Sequence, residues 1–389
     1  MSTRNDSTKP TNRGVSRREF LTRGAAAAGG LAAAPYLLGG APAWAAVDEG
    51  ARVGGRLDVL NWPLYIDKRS RKRFPKETGI KLKYSEGIND NNEFFAKYQE
   101  QFAAGDHIGF DLVIPTGWLA GRLIDLGYVK PLPLDLMENV GNLDPSLANP
   151  AWDPTGEYSL PWQTGMTGIA YNIEATGREL TSVNDLFDPE FEGKVGCLLE
   201  MRDTMVLLML AEGISREEIA TSVTFAQAQP AFDRLEEAVE SGQIRKFTGN
   251  DYQDDLVNGD FAVNIAWSGD VAQLTLDNEN LRFIIPEEGG HNWADVMLMV
   301  ETSNRDEQVA AWCDYFFDVE NAARVANYVQ FISPVAGIEG ALAELDEAAP
   351  DNPLIFPPDD VRERLVQIRT LDADEEERFD ERFAQITGA

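Results

Sequence analysis

The stretch RLDVLNWPLYIDKRSRKRFPKETGIKLKY, residues 56–84, decides the fold. A short apolar run at 57–60 precedes an amphipathic stretch at 68–78, and a second short run follows at 80–84. That is the spacing of a strand, a helix and a strand. Outward from it the alternation continues with a helix at 93–104, a strand at 110–114 and a helix at 118–125. After an irregular proline-rich stretch at 131–161 a second series begins. It has strands at 167–171 and 195–199, helices at 204–212 and 231–241, and strands at 261–266 and 282–285. A run at 296–300 and helices at 307–317 and 322–329 come next. Alternating β and α elements predict an α/β protein with a mainly parallel sheet covered by helices. Nothing resembling a flexible linker separates the two series, so the chain is expected to cross between two lobes more than once. The expected division is lobe 1 at 46–165, with 296–350 returning to it, lobe 2 at 166–295, and a helical segment at 351–389.

The first 45 residues read as an export signal. Ser16-Arg17-Arg18-Glu19-Phe20-Leu21 sets paired arginines ahead of an Ala/Gly-rich apolar run at 25–38. That run is too short and too weakly hydrophobic to be a good bilayer span. Ala43-Trp44-Ala45 fits a small-residue cleavage site, so the expectation is twin-arginine export to the periplasm and a mature chain starting near Ala46. No lipobox cysteine follows the signal.

The 389 residues are 43% hydrophobic and 25% charged, a globular balance, with 34 basic against 65 acidic side chains. Residues 1–46 hold six of the basic and two of the acidic ones, which leaves 28 against 63 and a formal charge of −35 on the remainder. Such a surface cannot neutralise phosphates, which excludes nucleic acid as a partner. It repels anions and concentrates cations near a cleft. Arginine outnumbers lysine 24 to 10, and adaptation to a salty habitat would produce the same imbalance. Cys197 and Cys313 stand in apolar runs and read as buried free thiols rather than a disulfide framework or metal cage.

In open α/β sheets ligands bind beyond the carboxyl ends of strands. Trp62 follows the run at 57–60, with Tyr65 one turn on; Trp118 follows 110–114 through Pro115-Thr116-Gly117; Trp267 follows 261–266; and Trp293, with Asp295 two residues later, precedes 296–300. One tryptophan at a strand end is more often simple packing, because its face buries well anywhere. Four at equivalent places point to an aromatic box. Ring faces attract an organic ammonium by roughly 0.5–2 kcal/mol each when desolvated, and a carboxylate supplies the directed, charge-assisted bond. Asp295 is the acid expected in that role, with Glu86, Asp90, Glu200, Asp203 and Asp270 also within reach. Catalysis has little support: there are two histidines, His107 and His291, no metal-ligand spacing, no phosphate-cradling glycine loop and no Gly-x-Ser-x-Gly elbow. The expectation is a binding protein rather than an enzyme, a monomer, with no cofactor and no metal.

The same residues carry a family resemblance from Arg56 to about Pro358. Asn61-Trp62-Pro63-Leu64-Tyr65, Lys76-Glu77-Thr78-Gly79-Ile80, Asp111-Leu112-Val113-Ile114-Pro115, Leu143-Asp144-Pro145, Tyr158-Ser159-Leu160-Pro161 and Gly168-Ile169-Ala170-Tyr171-Asn172 follow in an order that resembles the spermidine/putrescine-binding proteins of ABC transporters. Trp267-Ser268-Gly269 and Glu288-Gly289-Gly290 through Asp295 continue it. The resemblance implies the two-lobed periplasmic-binding-protein fold, a ligand cleft that closes on a hinge, and delivery of the bound solute to an ABC permease in the inner membrane. It puts an amine site on Trp62, Tyr65, Thr116, Trp118, Trp267, Trp293 and Asp295, and adds Arg202 and Asp203 near the family's second acid pair. Four positions depart from the pattern. Leu64 stands where an acid precedes the first tyrosine, Arg202 and Met205 fall near the acid pair, and Phe331 replaces a tyrosine. A glutamine contact of the family has only Gln367 as its counterpart. If Arg202 faces the cleft it could meet a ligand carboxylate, which suits a zwitterionic ω-amino acid. If instead it is tied to Asp203 or Glu200, Asp203 serves the amine, and a polyamine such as putrescine or spermidine is the ligand.

Overall fold

A computed structural model describes residues 53–388. The expected export signal at 1–45 lies outside the described residues. The strands are β1 (Arg56–Asn61), β2 (Lys81–Glu86), β3 (Leu112–Val113), β4 (Val129–Lys130), β5 (Ser159–Asn172), β6 (Val195–Leu198), β7 (Ile244–Thr248), β8 (Val263–Trp267), β9 (Leu281–Ile284), β10 (Gly290–Val300) and β11 (Leu365–Val366). The described helices of eight or more residues are α1 (Lys68–Thr78), α2 (Asn91–Ala104), α3 (Gly117–Asp125), α4 (Met201–Ala211), α5 (Phe225–Glu240), α6 (Ser268–Thr275), α7 (Asp306–Phe317), α8 (Val319–Val329) and α9 (Ala373–Thr387).

The opening unit forms as its sequence dictates. Asp67 caps α1 by accepting from the amides of Arg69 and Ser70, and Gly79 ends it in the left-handed conformation at φ 76°, which glycine adopts without steric cost. β1 then pairs in parallel with β2 and with β3. In the second half β6 pairs in parallel with β7 and β8.

Between these parallel blocks the sheet is antiparallel, which corrects the expectation of a mainly parallel sheet. β10 runs antiparallel to β3 and β5, and β5 runs antiparallel to β8 and β9. The physical reason lies in the length of β5 and β10, at 14 and 11 residues. Each carries the chain from one lobe to the other, one outward and one back, and two such crossings side by side must oppose one another. β5 also begins at Ser159, inside the stretch read as irregular.

Two apolar cores flank this crossing. One gathers residues from 57–162 and 293–355, around Phe74, Trp162, Trp312 and Phe316; the other gathers 169–281 and 366–386, around Met205, Phe232, Tyr252 and Phe379. Residues 366–386, set apart above as part of a helical C-terminal segment, thus pack into the second core: β11 pairs with Gly290 and His291 of β10, and Arg382 of α9 makes a two-pronged ion pair with Glu236 of α5. Cys197 and Cys313 are buried and free, one in each core.

Candidate functional site

Where the two cores face each other, a cleft encloses about 670 Å³ including its open mouth. Trp62, Tyr65, Thr116, Trp118, Arg202, Asp203, Trp267, Trp293 and Asp295, the nine residues singled out from the sequence, all line it. They converge because strand ends and helix starts do. Trp62 follows β1, Thr116 is the N-cap of α3, Arg202 and Asp203 open α4, and Trp267 is both the last residue of β8 and the N-cap of α6. Trp293 and Asp295, expected ahead of a strand, lie inside β10. The ladder shifts register between Asp295 and Val296, and such a bulge re-aims a side chain.

Asp295 is 5% exposed and is held by neutral donors. Tyr65 Oη donates to Oδ2 at 2.9 Å and Thr116 Oγ1 donates to Oδ1 at 2.7 Å. The hydroxyl of Thr116 is therefore aimed at the carboxylate and caps no amide of α3. Burial pushes the Asp295 carboxyl up to about 7, against these two hydrogen bonds, and the charge of Asp203 adds to the rise. Burial, followed by the charge of Asp295, holds the Tyr65 phenol well above its ordinary value, so it stays a donor. The two rings above this acid are fixed by glycines. A Cβ on Gly165 would lie 2.3 Å from the Trp293 ring, and one on Gly269 would lie 2.4 Å from Phe331. Phe331 in turn meets Tyr65 and Trp293 edge-on, with centroids 5.6 and 5.4 Å apart.

The opposite wall is built differently. Asp203 accepts from Trp267 Nε1 at 3.0 Å and from Thr167 Oγ1, and contacts His291 Nδ1 at 2.8 Å; Trp293 Nε1 donates to the same Thr167 hydroxyl. Thus two of the expected tryptophans are oriented, directly or through Thr167, by one of the expected acids. Asn91, at the start of α2, joins the two walls: its Nδ2 donates to Thr116 Oγ1 at 2.9 Å and to Glu200 Oε2 at 3.2 Å. Burial pushes the Glu200 carboxyl up to about 8; Arg202 pulls it down, and Asp90 and Asp203 push it up. Arg202 is 4% exposed. Its guanidinium lies 3.7 Å over the Trp118 ring and donates to Glu376 of α9 at 2.8 Å. It is thus engaged by the protein rather than presented to a ligand.

Of the other acids weighed from the sequence, Asp90, Glu200 and Asp270 line the cleft, whereas Glu86 is outside it in an ion pair with Arg71. Asp270 accepts from the Tyr252 hydroxyl at 3.0 Å. Gln367 lines neighbouring cavities instead. Sequence reasoning missed Asn91, Thr167, His291 and Phe331 as members of the site. His291 and Phe331 stood beside or at positions already under discussion, but Asn91 looks like any helix-start residue and carries no signal.

Five acids against one engaged arginine and one histidine, walled by aromatic faces, can hold an organic cation. Four helix starts face the cleft, and beside their positive partial charge stand Glu200, the N-cap of α4, and Asp203 and Asp270 in the first turns of α4 and α6. The cleft therefore needs these carboxylates to turn its field toward cations.

The chain matches the family described as bacterial extracellular solute-binding protein over residues 70–355. The putrescine-binding periplasmic protein of Escherichia coli (strain K12) is 28% identical over 333 residues, covering 81% of this chain and 87% of its own. The spermidine/putrescine-binding periplasmic protein 1 of Haemophilus influenzae (strain ATCC 51907 / DSM 11121 / KW20 / Rd) is 26% identical over 304 residues, covering 78% and 81%. Among solved structures, the spermidine/putrescine ABC transporter substrate-binding protein from Streptococcus pneumoniae superposes with a TM-score of 0.71 at 23% identity, over 86% of this chain and 99% of that one. The match establishes the two-lobed periplasmic-binding-protein fold.

Proposed function

This chain belongs to the bacterial extracellular solute-binding protein family, and from that premise we propose that it is the receptor of an ABC uptake system that holds a polyamine in its inter-lobe cleft and delivers it to the permease. The observation that carries the reading is Asp295: a buried carboxylate between aromatic faces whose hydrogen-bond donors are all neutral. A desolvated carboxylate without its own cation is the group an ammonium completes. Trp62, Tyr65, Trp267 and Trp293 supply the ring faces, Thr116 steadies the acid, and Asp203 meets the second ammonium. Trp118 and Arg202 form the far wall. The chain acts as a monomer and returns its ligand unchanged, since transfer rather than turnover is its task.

Relatives whose names call them periplasmic support action outside the cytoplasmic membrane, and Arg17-Arg18 with the apolar run behind it supports twin-arginine export. The ω-amino acid reading loses support here, because Arg202, the arginine lining the cleft among the described residues, donates to Glu376 and covers the Trp118 face.

Calorimetric titration of the chain from Ala46, with putrescine, spermidine and an ω-amino acid in parallel, tests this. Saturable binding of a polyamine, with no heat from the zwitterion, is expected. Binding of the zwitterion alone would remove the chain from polyamine uptake.

A further inference from the structure

Arg202 has a second neighbourhood beyond the cleft. Thr116, Trp118, Arg202, His291 and Trp293 line both the inner cleft and an outer groove that encloses about 1800 Å³ with its open mouth. This groove runs between α3 of the first lobe and residues 367–381 of the second. The shared residues are a partition between the two spaces. Arg202 and Trp118 are the part of it that joins the two lobes, touching through a ring face.

The two sides differ in what they can accept. On the outer side stand Asp372, Glu376, Glu377, Asp380 and Glu381. One oxygen of Asp380 is buried without a hydrogen-bond partner, as is Nη1 of Arg202, whose side chain is only 5% exposed. On the inner side the guanidinium already covers Trp118, so that face is closed to a ligand ammonium. A positive group of a linear amine that reached the Trp118 face would meet this guanidinium at contact distance, where like charges repel.

Resting on the polyamine reading above, we propose that Arg202, stacked on Trp118 and anchored by Glu376, ends the amine site after a short diamine and excludes longer polyamines, which would otherwise thread into the acidic outer groove. Arg202 is then a specificity-determining residue that acts as an internal cation in the place of a third ammonium. Its anchor on α9 explains a task for the C-terminal segment that the core alone does not require.

The test is calorimetric titration of wild type, Arg202→Met and Glu376→Gln with putrescine and with spermidine. Met keeps an apolar stem and removes the charge, and melting curves check that each variant is folded. Wild type is expected to prefer putrescine, and Arg202→Met to shift the spermidine-to-putrescine affinity ratio toward spermidine by about tenfold or more. Glu376→Gln, on a helix surface outside the cleft, is expected to move the ratio the same way by about threefold, and it decides the matter if Arg202→Met does not fold. A wild type that already prefers spermidine, or variants that weaken both amines equally, would overturn the partition while leaving the receptor reading intact. A wild type that binds neither amine overturns both.

Discussion

The two walls of the cleft hold their carboxylates by opposite means. Asp295 in the first wall is met by a phenol and a hydroxyl, and no cation among the described residues pairs with it. Asp203 and Glu200 in the second wall share their surroundings with His291 and Arg202. Burying a carboxylate is costly, and the cost is offset by a partner or by holding a proton. In the second wall Asp203 has partners of its own, while burial pushes Glu200 up to about 8 even with Arg202 nearby. The first leaves the position at Asp295 open to a cation, and burial pushes that acid up to about 7. The difference teaches which wall provides affinity and which provides selection: a ligand ammonium completes Asp295, whereas at the far wall it competes with what is already there.

The largest expected effect breaks the first wall. Asp295→Asn keeps the shape and the hydrogen-bond partners but removes the charge, and should weaken polyamine binding by about 2 kcal/mol or more, roughly thirtyfold in Kd. Asp203→Asn, in the wall that keeps Arg202 and His291, should cost less. Titration of both variants with the same amine checks the order; equal losses would mean that the walls are not divided in this way.

A smaller effect comes from pH. Burial pushes the Asp295 carboxyl up to about 7 in the folded chain, well above the ordinary 3.8 of an aspartate. A raised value means that its contribution to stability is full below about pH 4 and is lost as the pH rises through 7. Above that, the ionised acid is a buried charge that a bound ammonium relieves. Polyamine affinity should therefore rise by about tenfold between pH 6 and 8, with proton release on binding near pH 6.5, and the ligand-induced gain in Tm should be larger at pH 8. Calorimetry in buffers of different ionisation heat reads the released proton. A pH-independent affinity would place the ionised form of Asp295 in the unliganded protein already.

Much of this comparison was legible in the sequence because chemistry concentrates at strand ends. The runs ending at 60, 114 and 266 pointed to Trp62, Trp118 and Trp267 without any knowledge of packing, and the first helix runs over the 68–78 read from its amphipathic pattern. What was not legible depended on pairing. Periodicity does not report strand direction, so the antiparallel crossing of β5 and β10 was hidden. The bulge at Asp295 exists only against a partner strand. β7 escaped because Ile244–Thr248 carries exposed Arg245 and Lys246 in its middle and lacks alternation. Arg202 could be placed near the cleft from its position, but its commitment to Glu376 spans 174 residues of chain and leaves no local trace.

The smallest effect sharpens the comparison by moving the walls instead of their charges. Gly269 opens α6 against the second core, and Phe331 belongs to the first. The two meet so closely that an alanine methyl at 269 would stand 2.4 Å from the Phe331 ring. The ring cannot yield freely, because Tyr65 and Trp293 pack edge-on against it. Gly269→Ala should therefore act as a wedge that holds the lobes slightly apart, the usual overpacking cost of about 1–3 kcal/mol being spread between strain and partial opening. Closure brings both walls to the ligand, and a protein biased toward opening binds in proportion to its closed fraction. Affinity for putrescine should fall by about threefold, within that cost, and small-angle scattering of the unliganded variant should show a larger radius of gyration that saturating ligand restores. An unchanged radius with unchanged affinity would mean that Phe331 turns aside without moving the lobe, so that the ring, rather than the lobe spacing, absorbs the methyl.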